Sequence, residues 1–268
     1  MIYVCEFTQN NWRERLAGAS LQAGLVSASE VEALWQGNER VIRHRREHLS
    51  AWLLFLYALR TEYGMTELSS LQLAKHPHGK PYSVAHPELF FNLSHCQSAC
   101  ACVLADRPIG IDVERKLSYK EALMRRICTE EEQALFADCQ NDTERADLLS
   151  VLWPMKESYV KRDGRGLSRG LDQVSCAAYL REYRSDHRKN REQTAVQKNA
   201  NQKQSTGMYC LKNAISKQDE IAMASEMCVF VYDAYTLAVC GCADAELVQV
   251  TKACCMNDSV IENDIFYS

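Results

Sequence analysis

Asp112 and Glu114 lie two residues apart in Ile109-Gly110-Ile111-Asp112-Val113-Glu114. In a strand, side chains alternate with a period of two, so both carboxylates share one face. Adjacent carboxylates repel unless something neutralises them, and a divalent cation does this well. Trp153, Glu157 and Lys161 are spaced i, i+4, i+8 and lie along one side of a helix. Lys156 points about 100° away from Glu157, toward a different surface. Ser94 and His95 end the run Phe91–His95, and Lys80 sits in Gly79-Lys80-Pro81. Each piece alone has an ordinary explanation. An Asp-x-Glu pair can face solvent, and Glu with Lys four residues on is the usual solvated helix pair. Together they form the inventory of a site for a divalent metal and a polyphosphate, because hard cations take oxygen ligands and phosphates take cations. Glu157 then supplies the third carboxylate beside Asp112 and Glu114, and Lys161 meets phosphate oxygens.

Other chemistries fit less well. Ser94 and His95 have no acidic orienter or glycine-built oxyanion arrangement nearby in sequence, which argues against a hydrolase triad. Cys96 leaves a thiol nucleophile as a lesser alternative. Neither GxxxxGK[ST] nor GxGxxG occurs, so neither a P-loop nor a dinucleotide fingerprint is indicated. The formal net charge of -4 gives no global basic field for nucleic acid. Basic residues cluster locally at Arg40, Arg43, Arg45 and Arg46 and again across 181–191, where a solvated face is an equal reading. The start of the chain lacks a charged region followed by an apolar run, and Ala51–Leu59 is too short to span a bilayer. These features predict a cytoplasmic protein with no membrane partner and with reduced thiols among its 13 cysteines. None of the cysteine pairs has zinc-ribbon spacing, and those in ACACVLA and LAVCGCA read as small core hydrophobes.

The elements that must position these residues follow from pattern. Residues 2–7 alternate like a strand, and 28–63 read as helix with an apolar stripe from Leu34 to Leu59. His76–Pro81 is a turn or loop. Phe90–Leu93, Ala99–Ala105 and Pro108–Glu114 read as strands. Thr129 with Glu132 three residues later is a capping box opening a helix at Glu130–Phe136. Asp142–Lys161 reads as a longer helix, kinked by Pro154 and ended by Gly164-Arg165-Gly166. Leu171–Leu180 reads as a strand, and Val229–Cys242 as a strand pair turning at Asp233-Ala234. Residues 184–206 hold one valine and no other large apolar side chain, which predicts a mobile polar insertion. The 268 residues, 47% hydrophobic, suffice for two α/β lobes, 1–116 and 117–250, with a tail at 251–268.

The motifs resemble those of Sfp-type 4′-phosphopantetheinyl transferases from about Arg43 to Leu171, and weakly again over Tyr235–Ala243. The family pattern (F/W)NxSH is met by Phe91-Asn92-Leu93-Ser94-His95, and (I/V)G(I/V)D(I/V)E by Ile109–Glu114. Trp153 to Lys161 matches Wx(x)KE(A/S)xxK, followed by Gly164-Arg165-Gly166-Leu167. Pro154 departs from the small residue usual after the Trp. The family's basic residue in the first helix falls at Ala51 or Trp52.

The resemblance implies an α+β fold, a pseudo-symmetric pair of α/β lobes in one chain, with coenzyme A in the cleft between them and Mg²⁺ on its pyrophosphate. It implies Asp112, Glu114 and Glu157 as metal ligands, and Lys161 on the phosphates. Lys80, Ser94 and His95 become coenzyme A contacts, and Arg40, Arg43 and Arg46 candidates for its 3′-phosphate. Glu131 falls near a further acidic position of the family, with Glu130 and Glu132 as alternative registers. The implied reaction moves phosphopantetheine from coenzyme A to a serine of an apo acyl or peptidyl carrier protein and releases 3′,5′-ADP. Asp112, Glu157 and Lys161 are the catalytic set, Glu157 taking the serine proton. Arg125 and Arg126 are candidate carrier contacts, and a monomer is expected. A metal-dependent phosphohydrolase and a coenzyme A or carrier binder without chemistry are the alternatives.

Overall fold

The computed structural model describes residues 1–7, 12–164, 170–185, 207–211, 227–241 and 246–250. The chain divides into two compact units: Met1–Ile109 joined by the segment from Ala245 onward, and Gly110–Asp244. Among the described residues, no helix is long and apolar enough to cross a membrane.

The first unit contains β1 (Ile2–Glu6), α1 (Trp12–Gln22), α2 (Glu39–Tyr63), β2 (Leu73–Lys75), β3 (Pro81–Ser83), β4 (Phe90–His95) and β5 (Ala99–Ala105). A strand from the far end of the chain, Leu247–Gln249 (β10), joins it. The sheet order is β10-β1-β5-β4, with β10 parallel to β1 and the other pairs antiparallel. Leu54, Phe55, Ala58 and Leu59 of α2 pack with Tyr3, Phe91, Cys100 and Cys102 of the sheet. Cys100 and Cys102 stand opposite Cys5 and Tyr3 as unbridged apolar side chains. The helix expected over 28–63 is interrupted. A 3-10 turn at Glu32–Trp35 ends near Gly37, whose φ of 112° favours glycine. Asn38 then caps α2 by accepting from the Val41 N–H at 3.1 Å, and Arg45 donates to the carbonyls of Ala33 (2.7 Å) and Gln36 (2.8 Å). The break comes from this local cap, which outweighs the helical periodicity.

The second unit holds β6 (Gly110–Arg115), α3 (Glu121–Ile127), α4 (Glu130–Ala137), α5 (Asp142–Asp163), α6 (residues 177–185), β7 (Gly207–Leu211), β8 (Met227–Val231) and β9 (Tyr235–Cys240). Its sheet runs β6-β9-β8-β7, antiparallel throughout. Leu148, Leu152 and Met155 of α5 share one core with Val229, Ala238 and Cys240 of the sheet. Each unit therefore carries a four-stranded sheet with one long helix on it, an α+β architecture.

The capping box at Thr129 and Glu132 is present, and α5 runs unbroken through Pro154. Leu171–Leu180 is not a strand. It is a 3-10 turn at Leu171–Gln173 followed by α6, which buries Ala177, Leu180 and Tyr183 at helical spacing. The run from Val174 to Leu180 is too short for periodicity to separate helix from strand. Contacts decide it: the Cys176 N–H donates to Glu132 Oε1 at 2.6 Å. Residues 184 and 185 of the expected insertion end α6, and 186–206 lie outside the described residues. Arg165 and Gly166 of the expected turn, Leu167 of the glycine motif and the tail at 251–268 also lie outside them.

Candidate active site

A Cβ added to Gly110 would stand 2.0 Å from the Ser158 carbonyl oxygen and 2.4 Å from the Arg162 nitrogen. Only glycine lets the backbones of β6 and α5 approach this closely. Gly110, Asp112 and Glu114 share a face of the strand, so the helix touching Gly110 overlies the carboxylates. That places the last two turns of α5, with Glu157 and Lys161, against Asp112. Lys161 Nζ donates to the buried Asp112 Oδ1 at 2.5 Å. Ile111 and Val113 on the other face are fully buried, which fixes the strand's orientation.

Burial pushes the Glu157 carboxyl above its usual range, and the charges of Asp112 and Glu114 add to this while Lys161 opposes it. Glu114 is also raised, again by burial first, with a contribution from Asp112. The Arg115 N–H, donating to Glu114 Oε1 at 2.8 Å, partly offsets that rise. Charge repulsion among carboxylates thus reaches across β6 and α5, and Lys161 opposes it at both glutamates. Hard oxygen donors with uncompensated repulsion suit a divalent ion such as Mg²⁺. Among the described residues, no three His, Cys, Asp or Glu side chains are gathered tightly enough to enclose an ion in their present rotamers.

Lys156 does not face another surface; it points into the core. It is 0% exposed, and its Nζ donates to Glu132 Oε2 (2.5 Å), the Leu171 carbonyl (3.0 Å) and the Ile127 carbonyl. Glu132, also 0% exposed, accepts from the Thr129 N–H at 2.8 Å as well. This pair ties α3, α4 and the turn before α6 to the helix carrying Glu157. The sequence carried one hint, the capping-box glutamate; a lysine inside a helix gives no sign of burial. Glu131 is exposed and engaged by Arg181 and by Ser175 Oγ at 3.3 Å, so of the three neighbouring glutamates Glu132 is the interior one.

In the first unit, Ser94 is buried on β4 opposite Ala101. His95 ends that strand with Nδ1 3.4 Å from Glu47 Oε2, within ion-pair reach but outside hydrogen-bond geometry. Its ring meets those of His44 and His48 on α2 edge-on, at centroid distances of 5.5 and 6.1 Å. Sequence reading did not single out these two histidines. Arg40 and Arg43 are exposed on α2, and Arg43 Nε lies 3.6 Å from Glu47 Oε1. Arg46 is half-buried instead, its guanidinium 4.9 Å over the Phe7 ring, and burial lowers its pKa. Lys80 Nζ donates to the Ile109 carbonyl at 2.8 Å. Arg125 pairs with Glu121 at 2.6 Å on the surface of α3, where Arg126 is also exposed.

Residues 108–182, which include β6, Glu132, Lys156, Glu157 and Lys161, match the family model described as the 4′-phosphopantetheinyl transferase superfamily. A 4′-phosphopantetheinyl transferase of Bacillus subtilis is 32% identical over 152 residues, covering 56% of this chain and 65% of the relative. The 4′-phosphopantetheinyl transferase Sfp of Bacillus subtilis (strain 168) is 33% identical over 107 residues, 40% of this chain and 47% of the relative. Enterobactin synthase component D of Escherichia coli (strain K12) is 31% identical over 117 residues, 41% of this chain and 53% of the relative. The matches therefore span about half to two thirds of these relatives' lengths. Asp112, Glu114, Glu157 and Lys161 all lie inside the region that is similar to the 4′-phosphopantetheinyl transferase superfamily.

Proposed function

We propose that this protein transfers 4′-phosphopantetheine from coenzyme A to a serine of an apo acyl or peptidyl carrier protein, in the cytoplasm and as a monomer. The observation that carries the reading is the meeting of two distant motifs: Lys161 holds Asp112 at 2.5 Å, and the Asp112 charge adds to the burial that raises the pKa of both Glu157 and Glu114. Phosphoryl transfer needs positioning and charge neutralisation more than covalent help from the protein.

In this reading the carrier serine oxygen attacks the phosphorus that bears the pantetheine arm. The bond from that phosphorus to the bridging oxygen breaks, and 3′,5′-ADP leaves with it. Glu157 takes the serine proton; its raised pKa makes it a better base than an ordinary surface carboxylate. Lys161, about one-third exposed, lies where its ammonium can meet phosphate oxygens. Asp112, Glu114 and Glu157 would hold Mg²⁺, which when bound supplies neutralisation of the pyrophosphate charge. Lys80, Ser94 and His95 are assigned to coenzyme A on their motifs, and Arg125 and Arg126 to the carrier.

The test is intact-mass spectrometry of an apo carrier incubated with this protein, coenzyme A and Mg²⁺, with an EDTA control. The expected result is a gain of one phosphopantetheine, abolished by EDTA. Release of a coenzyme A fragment without carrier modification would instead indicate a phosphohydrolase.

A further inference from the structure

We propose that Thr236 is a positioning residue of the second unit's site: its buried hydroxyl is the donor that orients the Glu114 carboxylate when Glu114 holds a divalent cation. The proposal rests on the transferase reading above, in which Glu114 is a metal ligand. Thr236 lies on β9 directly opposite Glu114 of β6, as Ala238 lies opposite Asp112 and Cys240 opposite Gly110. Cross-strand partners share a face, so Thr236 stands on the face that α5 covers, with Asp112 one pair further along. Side chains directly opposite have Cβ atoms about 4.5–5.5 Å apart, within reach of a hydroxyl and a glutamate.

Thr236 is 0% exposed, and its Oγ1 has no hydrogen-bond partner among the described residues. Such an orphan is uncommon, because a buried hydroxyl gives up its hydration and gains nothing in return. Its other cross-strand partner, Val231 of β8, offers only apolar atoms. Of the carboxylates on the same face, Asp112 is already held by Lys161 at 2.5 Å. Glu114 accepts from the Arg115 N–H of its own strand at 2.8 Å, and a carboxylate's two oxygens can take further donors. Among the described residues, no three ligating side chains are gathered to enclose an ion in their present rotamers, so the carboxylates must readjust to hold one. A hydroxyl waiting beside Glu114 fits that readjustment. Carboxylates that ligate metals are in turn held by hydrogen bonds from a second layer of groups, which fix the oxygen that faces the ion.

The experiment titrates Mg²⁺ into the full chain as wild type, T236V and T236S by calorimetry with coenzyme A present, and unfolds each in denaturant with EDTA. Valine keeps the branched shape of threonine and removes the donor, whereas serine keeps the donor. T236V should bind Mg²⁺ about 10-fold or more weakly, the usual worth of a group behind a ligand, and T236S should restore most of that loss. Without metal, T236V should be at least as stable as wild type, because it deletes a hydroxyl that has no partner. In carrier modification, T236V should need more Mg²⁺ to reach its half-maximal rate. Wild-type affinity in T236V, or a loss that T236S shares in full, would overturn the proposal. So would a T236V that is less stable without metal, which assigns the hydroxyl to the fold. If wild type modifies a carrier and T236V matches its Mg²⁺ affinity, the role of Thr236 alone fails. If wild type neither binds Mg²⁺ nor modifies a carrier, the reading beneath it fails as well.

Discussion

At the scale of single residues, the site is a balance of charge. Glu157 and Glu114 are held above the ordinary carboxylate range because burial and a neighbouring Asp112 disfavour their ionised forms. Replacing Glu157 with Gln removes the proposed proton acceptor while keeping its shape. Turnover should drop about 100-fold or more while coenzyme A binding survives in part, measured by carrier modification and calorimetry. The same shifts bear on stability. A carboxyl with a raised folded pKa stabilises the fold fully below the usual carboxylate range and loses that contribution as pH climbs through the raised value. Metal-free wild type should therefore lose stability as pH climbs above the usual carboxylate range, and E114Q should lose less over that rise in denaturant titrations with EDTA. The motif residues were legible because their types and spacing fix a shared face. The pairing of Lys161 with Asp112 was not, since nothing local joins positions 49 apart in sequence.

At the scale of elements, two contacts hold the helix that carries Glu157 and Lys161. The first is the bare Gly110. G110A would drive a methyl group into the Ser158 carbonyl, 2.0 Å away, and should cost about 1–3 kcal/mol or more by chemical unfolding. The second is the buried Lys156–Glu132 pair. K156M leaves a buried carboxylate uncompensated and should cost about 3–5 kcal/mol. Because the two charges depend on one another, K156M/E132L should cost clearly less than the sum of the single substitutions in a double-mutant cycle. Strands β4, β5 and β6, the capping box and the extent of α5 were readable from alternation, helical spacing and cap residues. The helix at 177–185 was not, because Glu132, far away in sequence, supplies the acceptor at its start.

At the scale of the whole molecule, nine cysteines among the described residues are buried thiols outside any disulfide, spread over both units. Burial raises the pKa of Cys102, Cys128, Cys139 and Cys176, taking Cys128 up to about 12, so their reactive thiolate is scarce. Native alkylation followed by peptide mapping should leave Cys5, Cys100, Cys102, Cys128 and Cys176 unmodified, and denaturant should expose them all. The first unit also depends on the end of the chain. Leu247–Gln249 returns to pair with Ile2–Val4, a contact no local pattern announces.

The sequence by itself determined the chemistry available here: three carboxylates, a lysine one turn from Glu157, and a serine–histidine strand end, each set on a face by the period of its element. It also carried a resemblance to one family, through motifs whose order and spacing are specific. Only the tertiary structure decided that α5 lies on β6 at Gly110, that Lys156 is an interior anchor, that Glu132 is the interior glutamate, and that His44 and His48 gather around His95. Periodicity assigns side chains to faces. Which faces meet depends on long-range packing, where burial and paired charge select one arrangement.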